Sequence, residues 1–173
     1  YYYLFVSYGS LTADGGYQIR VFRSETPDGT YVDMTGKYPD GTGAHWARGL
    51  KLSGNYVLPS NMLAYKATGH NSAMVDTDGK RYIAYHTRFA NQGELHYPRV
   101  KQFFVNEEGW PCMLPYATDG ETISETGYEK EEVIGRYYMV NQGTAIDAKV
   151  AAPVILYLTD KGSVFGEKVE GTW

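Results

Sequence analysis

The 173 residues suffice for one ordinary domain or parts of two, and a hydrophobic share of 43% with 15% aromatics marks a chain that folds around a core. Sixteen basic against 20 acidic residues leave a net charge of -4 with no Lys/Arg cluster, which excludes nucleic acid as a natural partner. No apolar run approaches the roughly 20 residues that span a bilayer, and the chain opens without the charged n-region and cleavage site of a signal peptide, which leaves export open.

Twenty glycines and 17 tyrosines suit short twisted strands and tight turns better than helices, so the expected class is all-β. Tyr1 to Tyr8 is a strand-like run with no turn before it, read as the middle of an ordered element whose preceding sequence is missing. Tyr17 to Ser24 is a second strand, and the Thr26-Pro27-Asp28-Gly29 turn leads into a third at Thr30 to Asp33. Met34 to Thr68 is rich in Gly, Pro, Asn and Lys and reads as a long loop over one face, ordered only from Leu50 to Tyr56. Strands then follow near Ala73 to Asp76, Arg81 to Thr87, Arg99 to Asn106 and Trp110 to Leu114, with turns at Asp78-Gly79 and Glu107-Glu108-Gly109.

Two successive meanders match the blade repeat of a β-propeller, so residues 1–116 are expected to be propeller blades, the first lacking a strand. Ala117 to Glu132 is acidic and linker-like. A second β unit, within 117–173, runs through Val133 to Tyr138, Pro153 to Leu158, a turn at Asp160-Lys161-Gly162 and Ser163 to Phe165. It stops at Gly171-Thr172-Trp173 where a further strand is due. Cys112, the only cysteine, excludes an intrachain disulfide, leaves the redox compartment open and, beside Trp110 and Pro111, reads as a buried small hydrophobe.

The segment Gly69 to Arg88 carries the most chemistry. A turn at Asp78-Gly79 folds it into a hairpin with His70 and Arg88 at its two ends, side by side and able to face one cavity. His70 is either a hydrogen-bonded structural histidine or a ligand group. Arg88 offers a flat five-donor fork for vicinal hydroxyls or a carboxylate, or else forms a surface ion pair. His86, mid-strand, and His96, in the Asn91 to Pro98 loop, are secondary candidates, and His45 beside Trp46 either lines one face of the long loop or, the favoured reading, is solvent-exposed.

The acids Asp14, Asp28, Asp33, Asp40, Asp76, Asp78, Glu107 and Glu108 fall in or beside turns, where carboxylates cap backbone amides. No pair suits glycoside hydrolysis, which needs two carboxyl groups facing one sugar. Nor is there a Ser-His-Asp order, a phosphate loop or a His-x-x-x-His metal motif.

Taken together, several segments resemble glycoside hydrolase family 43, most closely its endo-acting arabinanases with a C-terminal accessory β domain. They are Tyr1-Tyr2-Tyr3-Leu4-Phe5-Val6-Ser7-Tyr8-Gly9, Tyr17 to Ser24 with the Gly29 to Asp33 turn, and Gly49 to Tyr56. Gly69-His70-Asn71-Ser72, Tyr85-His86-Thr87-Arg88 and Arg99 to Pro111 complete the set in the family's order. The tail from Ile134-Gly135-Arg136-Tyr137 to Trp173 is similar to the accessory β-barrel.

The resemblance implies part of a five-bladed propeller followed by part of a small β-barrel, and inverting cleavage of internal α-1,5 links of arabinan. Its Asp base, pKa-tuning Asp and Glu acid would all precede Tyr1, so this chain, the C-terminal portion, would be incomplete and inactive by itself, seated against the N-terminal half of the propeller. His70 would hold a single Ca²⁺ together with waters. Arg88 would contact the sugar at the cleavage point, and Tyr8, Asn71, Ser72 and Trp46 are candidates to line the groove. A polysaccharide substrate implies an extracellular or periplasmic address. The alternatives are an α-L-arabinofuranosidase or β-xylosidase of the same family, and a non-catalytic carbohydrate-binding β protein.

Overall fold

The computed structural model describes residues 1–40 and 48–173. His45 and Trp46, read from the sequence as part of the long loop, lie outside the described residues.

Among the described residues the structure is all-β apart from one helical turn. β1 (Tyr2–Tyr8), β2 (Gln18–Ser24) and β3 (Leu50–Ser53) form an antiparallel sheet in the order β1-β2-β3. β2 is the central strand and is covered on both faces, with Ile19, Val21 and Phe22 at 0% exposure. The expected third strand at Thr30 to Asp33 reduces to a single bridge between Arg23 and Val32, and β3 takes its place in the sheet. The cause is Asp33, whose Oδ1 accepts the Thr35 and Lys37 amides at 2.8 and 3.1 Å and whose Oδ2 accepts the Gly49 amide at 2.9 Å. A carboxylate that gathers amides in this way closes a turn and leaves no extended backbone to pair.

β4 (Tyr65–Val75), β5 (Arg81–Phe89), β6 (Tyr97–Val105) and β7 (Pro111–Met113) form a four-stranded meander in the order β4-β5-β6-β7. The two sheets share a core of Ile19, Leu52, Ile83, Tyr85 and Phe103, with Phe5 packed against it. β4 begins well before the expected Ala73, because two register shifts, between Lys66 and Gly69 and between Gly69 and Ser72, hide its period. Cys112 is exposed on edge strand β7, while its neighbours Trp110 and Pro111 take the buried positions.

The acidic stretch ends in a single helical turn, α1 (Lys130–Val133), held by reciprocal capping between Glu129 and Glu132. β8 (Gly135–Met139), β9 (Val154–Leu158), β10 (Ser163–Gly166) and β11 (Val169–Thr172) then make a third sheet in the order β11-β10-β9-β8. The β8–β9 connection reaches back to the first sheet. Lys51 Nζ donates to the Gln142 carbonyl at 2.9 Å, Gln18 Nε2 donates to the Ala145 carbonyl at 3.2 Å, and the Ala151 amide donates to the Asn55 carbonyl at 3.0 Å.

Candidate functional site

The β4–β5 hairpin closes as expected, but its register pairs Arg88 with Lys66 and His86 with Gly69, so His70 and Arg88 are not neighbours across the ladder. Each register shift inserts one extra residue into β4, and each insertion contains a residue in the left-handed region, Ala67 at φ 48° and His70 at φ 52°. Bulges of this kind re-aim side chains. Because Ala84, His86 and Arg88 alternate along one face of β5, their partners Ser72, Gly69 and Lys66 share that face at three-residue spacing.

Gly69 is what allows a ring to settle on this face. A Cβ at that position would lie 2.2 Å from Tyr17 Cε1. Tyr17 uses the space to stack on His86, with ring centroids 5.6 Å apart and planes 12° from parallel. His96 meets the same imidazole edge-on at 4.6 Å, and the His70 ring lies 6.3 Å from it. The left-handed backbone of His70 is held from outside the hairpin, since its amide donates to Ser7 Oγ at 3.0 Å. Three histidines and a tyrosine therefore converge where the sequence pointed chiefly to His70.

Arg88 is 3% exposed, and its Nε stands 2.8 Å from Glu94 Oε2. That contact is an ion pair out of line for a hydrogen bond, so Nε and Nη1 are both buried donors with no hydrogen-bond partner, and His86 Nδ1 is in the same condition. Burial chiefly, then the charges of His96, Arg88 and His70, push His86 down to about 4, so it is neutral near pH 7. A buried fork and a neutral imidazole on one strand face, each with unused polar atoms, form a place where a polar neutral ligand replaces lost hydrogen bonds.

The other sequence candidates are spread out. Ser72 shares the Arg88 face but is four strand positions further along, about 13 Å at 3.3 Å per residue. Asn71 is half-buried beside it. Ser7 meets the His70 backbone, and the Arg20 guanidinium carbon lies 5.0 Å from the centroid of the Tyr8 ring. Burial raises the Tyr8 phenol above its ordinary value, with Arg20 the main opposing influence.

Glu94, Tyr17 and the role of His86 were missed from the sequence. The one local signal was His86-x-Arg88, two polar side chains at strand period. Calcium takes six to eight oxygen ligands. Among the described residues no group of three or more His, Cys, Asp or Glu could hold a metal, and the His70 ring lies 6.3 Å from that of His86. These residues do not form a calcium cage by themselves.

No family model matches the chain. It is 44% identical over 184 residues to the extracellular endo-α-(1→5)-L-arabinanase of Thermotoga petrophila, covering 100% of this chain and 38% of that protein. It is 38% identical over 187 residues to extracellular endo-α-(1→5)-L-arabinanase 2 of Bacillus subtilis, covering 100% of this chain and 39% of that one. An extracellular exo-α-(1→5)-L-arabinofuranosidase of Cellvibrio japonicus is 32% identical over 64% of the chain.

The crystal structure of the Thermotoga petrophila endo-1,5-α-L-arabinanase superposes with a TM-score of 0.89 at 42% identity, covering 99% of this chain and 40% of that one. A family 43 glycoside hydrolase from Bacillus licheniformis does so with a TM-score of 0.89 at 39% identity, covering 99% and 41%. The chain thus spans about two fifths of the length of the relatives it matches. Alike to these proteins in sequence and in fold along its whole length, the chain belongs to glycoside hydrolase family 43.

Proposed function

We propose that these residues are part of an enzyme that cuts internal α-1,5 links of arabinan with inversion. The observation that carries this reading is likeness over the entire chain to two endo-acting arabinanases, whereas the exo-acting relative matches only 64% of it. Inversion needs a carboxylic acid and a carboxylate about 6.5–9.5 Å apart with a water between them. Among the described acids, Asp33 is taken up by amides and Asp14 and Glu94 by Lys66 and Arg88. In this reading, as the family resemblance implies, the base, the pKa-tuning carboxylate and the acid come from the N-terminal half of the five-bladed propeller, and residues 1–173 alone are inactive.

In this reading the chain supplies binding. Arg88 donates from its unpartnered buried Nη1 to hydroxyls of the sugar at the cleavage point and, as a fixed cation, supports the charge that develops there. Asn71 and Ser72 continue the groove along β4, and Tyr8 contributes to its wall. His70 is the single protein ligand of a Ca²⁺ whose remaining shell is water, and no chemical step is assigned to that ion. Arabinan is too large to cross a membrane, which places the enzyme outside the cytoplasm, as the names of both endo-acting relatives state for those proteins.

The test is release of reducing sugar from linear debranched arabinan by the full-length protein, with and without a Ca²⁺ chelator. Oligosaccharide products are expected, with lower yield after chelation. Arabinose as the sole product would replace endo with exo action, and no release would overturn the enzymatic reading.

A further inference from the structure

Lys66 and Arg88 stand directly opposite each other in the β4–β5 ladder, an arrangement of like charges that is destabilising by itself. Each is matched by an acid from a different connection. Lys66 pairs with Asp14 from the loop between β1 and β2, and Arg88 pairs with Glu94 from the loop between β5 and β6. Glu94 also accepts the Ala13 amide with both oxygens, at 3.1 and 3.0 Å. One carboxylate, itself 60% exposed, thus ties together two loops and a guanidinium that is 4% exposed. His96, two residues along the same loop, is the edge-on partner of His86.

We infer that Glu94 is a positioning residue that acts through Arg88: it holds the guanidinium by its Nε edge so that Nη1 faces the sugar, and clasps the 10–17 loop to the 90–96 loop above it. The inference rests on Arg88 being a sugar contact. An exposed acid that merely decorated the surface would contribute little. Glu94 differs because its partner is buried and the Nη1 of that partner is left over for a ligand.

The experiment is a double-mutant cycle in the full-length protein with E94Q, R88A and the pair. It is read by arabinohexaose affinity and by hydrogen exchange of the segment containing Ala13. E94Q keeps the shape of Glu94 and removes its charge. It is expected to speed exchange at Ala13 and to weaken arabinohexaose binding about tenfold, with no further loss when added to R88A. Unchanged exchange at Ala13 in E94Q overturns the inference, as does an equal E94Q penalty in the R88A background. If R88A leaves affinity intact, the sugar-contact reading of Arg88 fails, and exchange at Ala13 alone then decides whether the clasp stands.

Discussion

Gly69 and Lys101 show how single residues govern this hairpin. Gly69→Ala drives a methyl group into the Tyr17 ring, and relief requires Tyr17 to leave His86. The expected cost is about 1–3 kcal/mol, in the range of overpacked cores, together with a change in the His86 ring resonances. Unaltered thermal unfolding would mean that the ring moves freely. Lys101, at 0% exposure, donates to the Pro115 carbonyl at 2.6 Å and to Tyr56 Oη, with its ammonium over the Tyr65 ring. Burial, and secondarily Arg99, lowers its amine from 10.5 to about 7.

An amine depressed in the folded state favours folding above its unfolded value and loses that contribution as pH falls through the folded one. Stability is therefore expected to rise from pH 7 toward pH 10 in the native protein and to follow a flatter curve in Lys101→Met. Denaturant midpoints across that range check it, and parallel curves would remove Lys101 as the source.

At the scale of elements, β4 determines the site and does so through its irregularities. Two left-handed residues in one strand each cost on the order of 1–3 kcal/mol and persist only where neighbours hold them. Asn55 is one such neighbour: its Oδ1 accepts the Ala67 amide at 2.8 Å inside the core, while Ser7 performs the same service for His70. Asn55→Ala leaves a buried N–H unpaired and is expected to destabilise by about 1–3 kcal/mol. Urea unfolding measures that loss, and faster exchange at Ala67 locates it. A result near zero would show that the bulge needs no outside support.

At the scale of the whole molecule, the β8–β9 connection is part of the fold of the first sheet. Arg20 is 0% exposed; it donates to the Arg48 carbonyl at 2.7 Å and to the Thr144 carbonyl. Lys51 depends on Gln142 and Ala145 in the same way. Ending the chain at Tyr116 would take the Thr144 carbonyl from Arg20 and the Gln142 and Ala145 carbonyls from Lys51. A lower melting temperature is expected than for the longer chain, and equal melting would show that the two parts fold independently.

The sequence alone determined the class, the β1–β2 hairpin, the second meander and the β unit after the acidic stretch, because turn residues such as Asp78-Gly79 and alternating strands such as Arg81 to Phe89 act locally. It singled out Arg88 and His70 by type and by family resemblance. Their surroundings were decided only by tertiary structure. The bulges in β4 change its period from two to three, so no alternation rule could place Gly69 opposite His86 or Lys66 opposite Arg88. Glu94 and Tyr17 come from loops whose approach depends on both sheets packing together, and the third strand of the first sheet was settled by one buried carboxylate, Asp33, capturing Gly49 from across a long connection. Contacts between residues so far apart leave no period in the chain, and they are what turns two polar residues on a hairpin into a site.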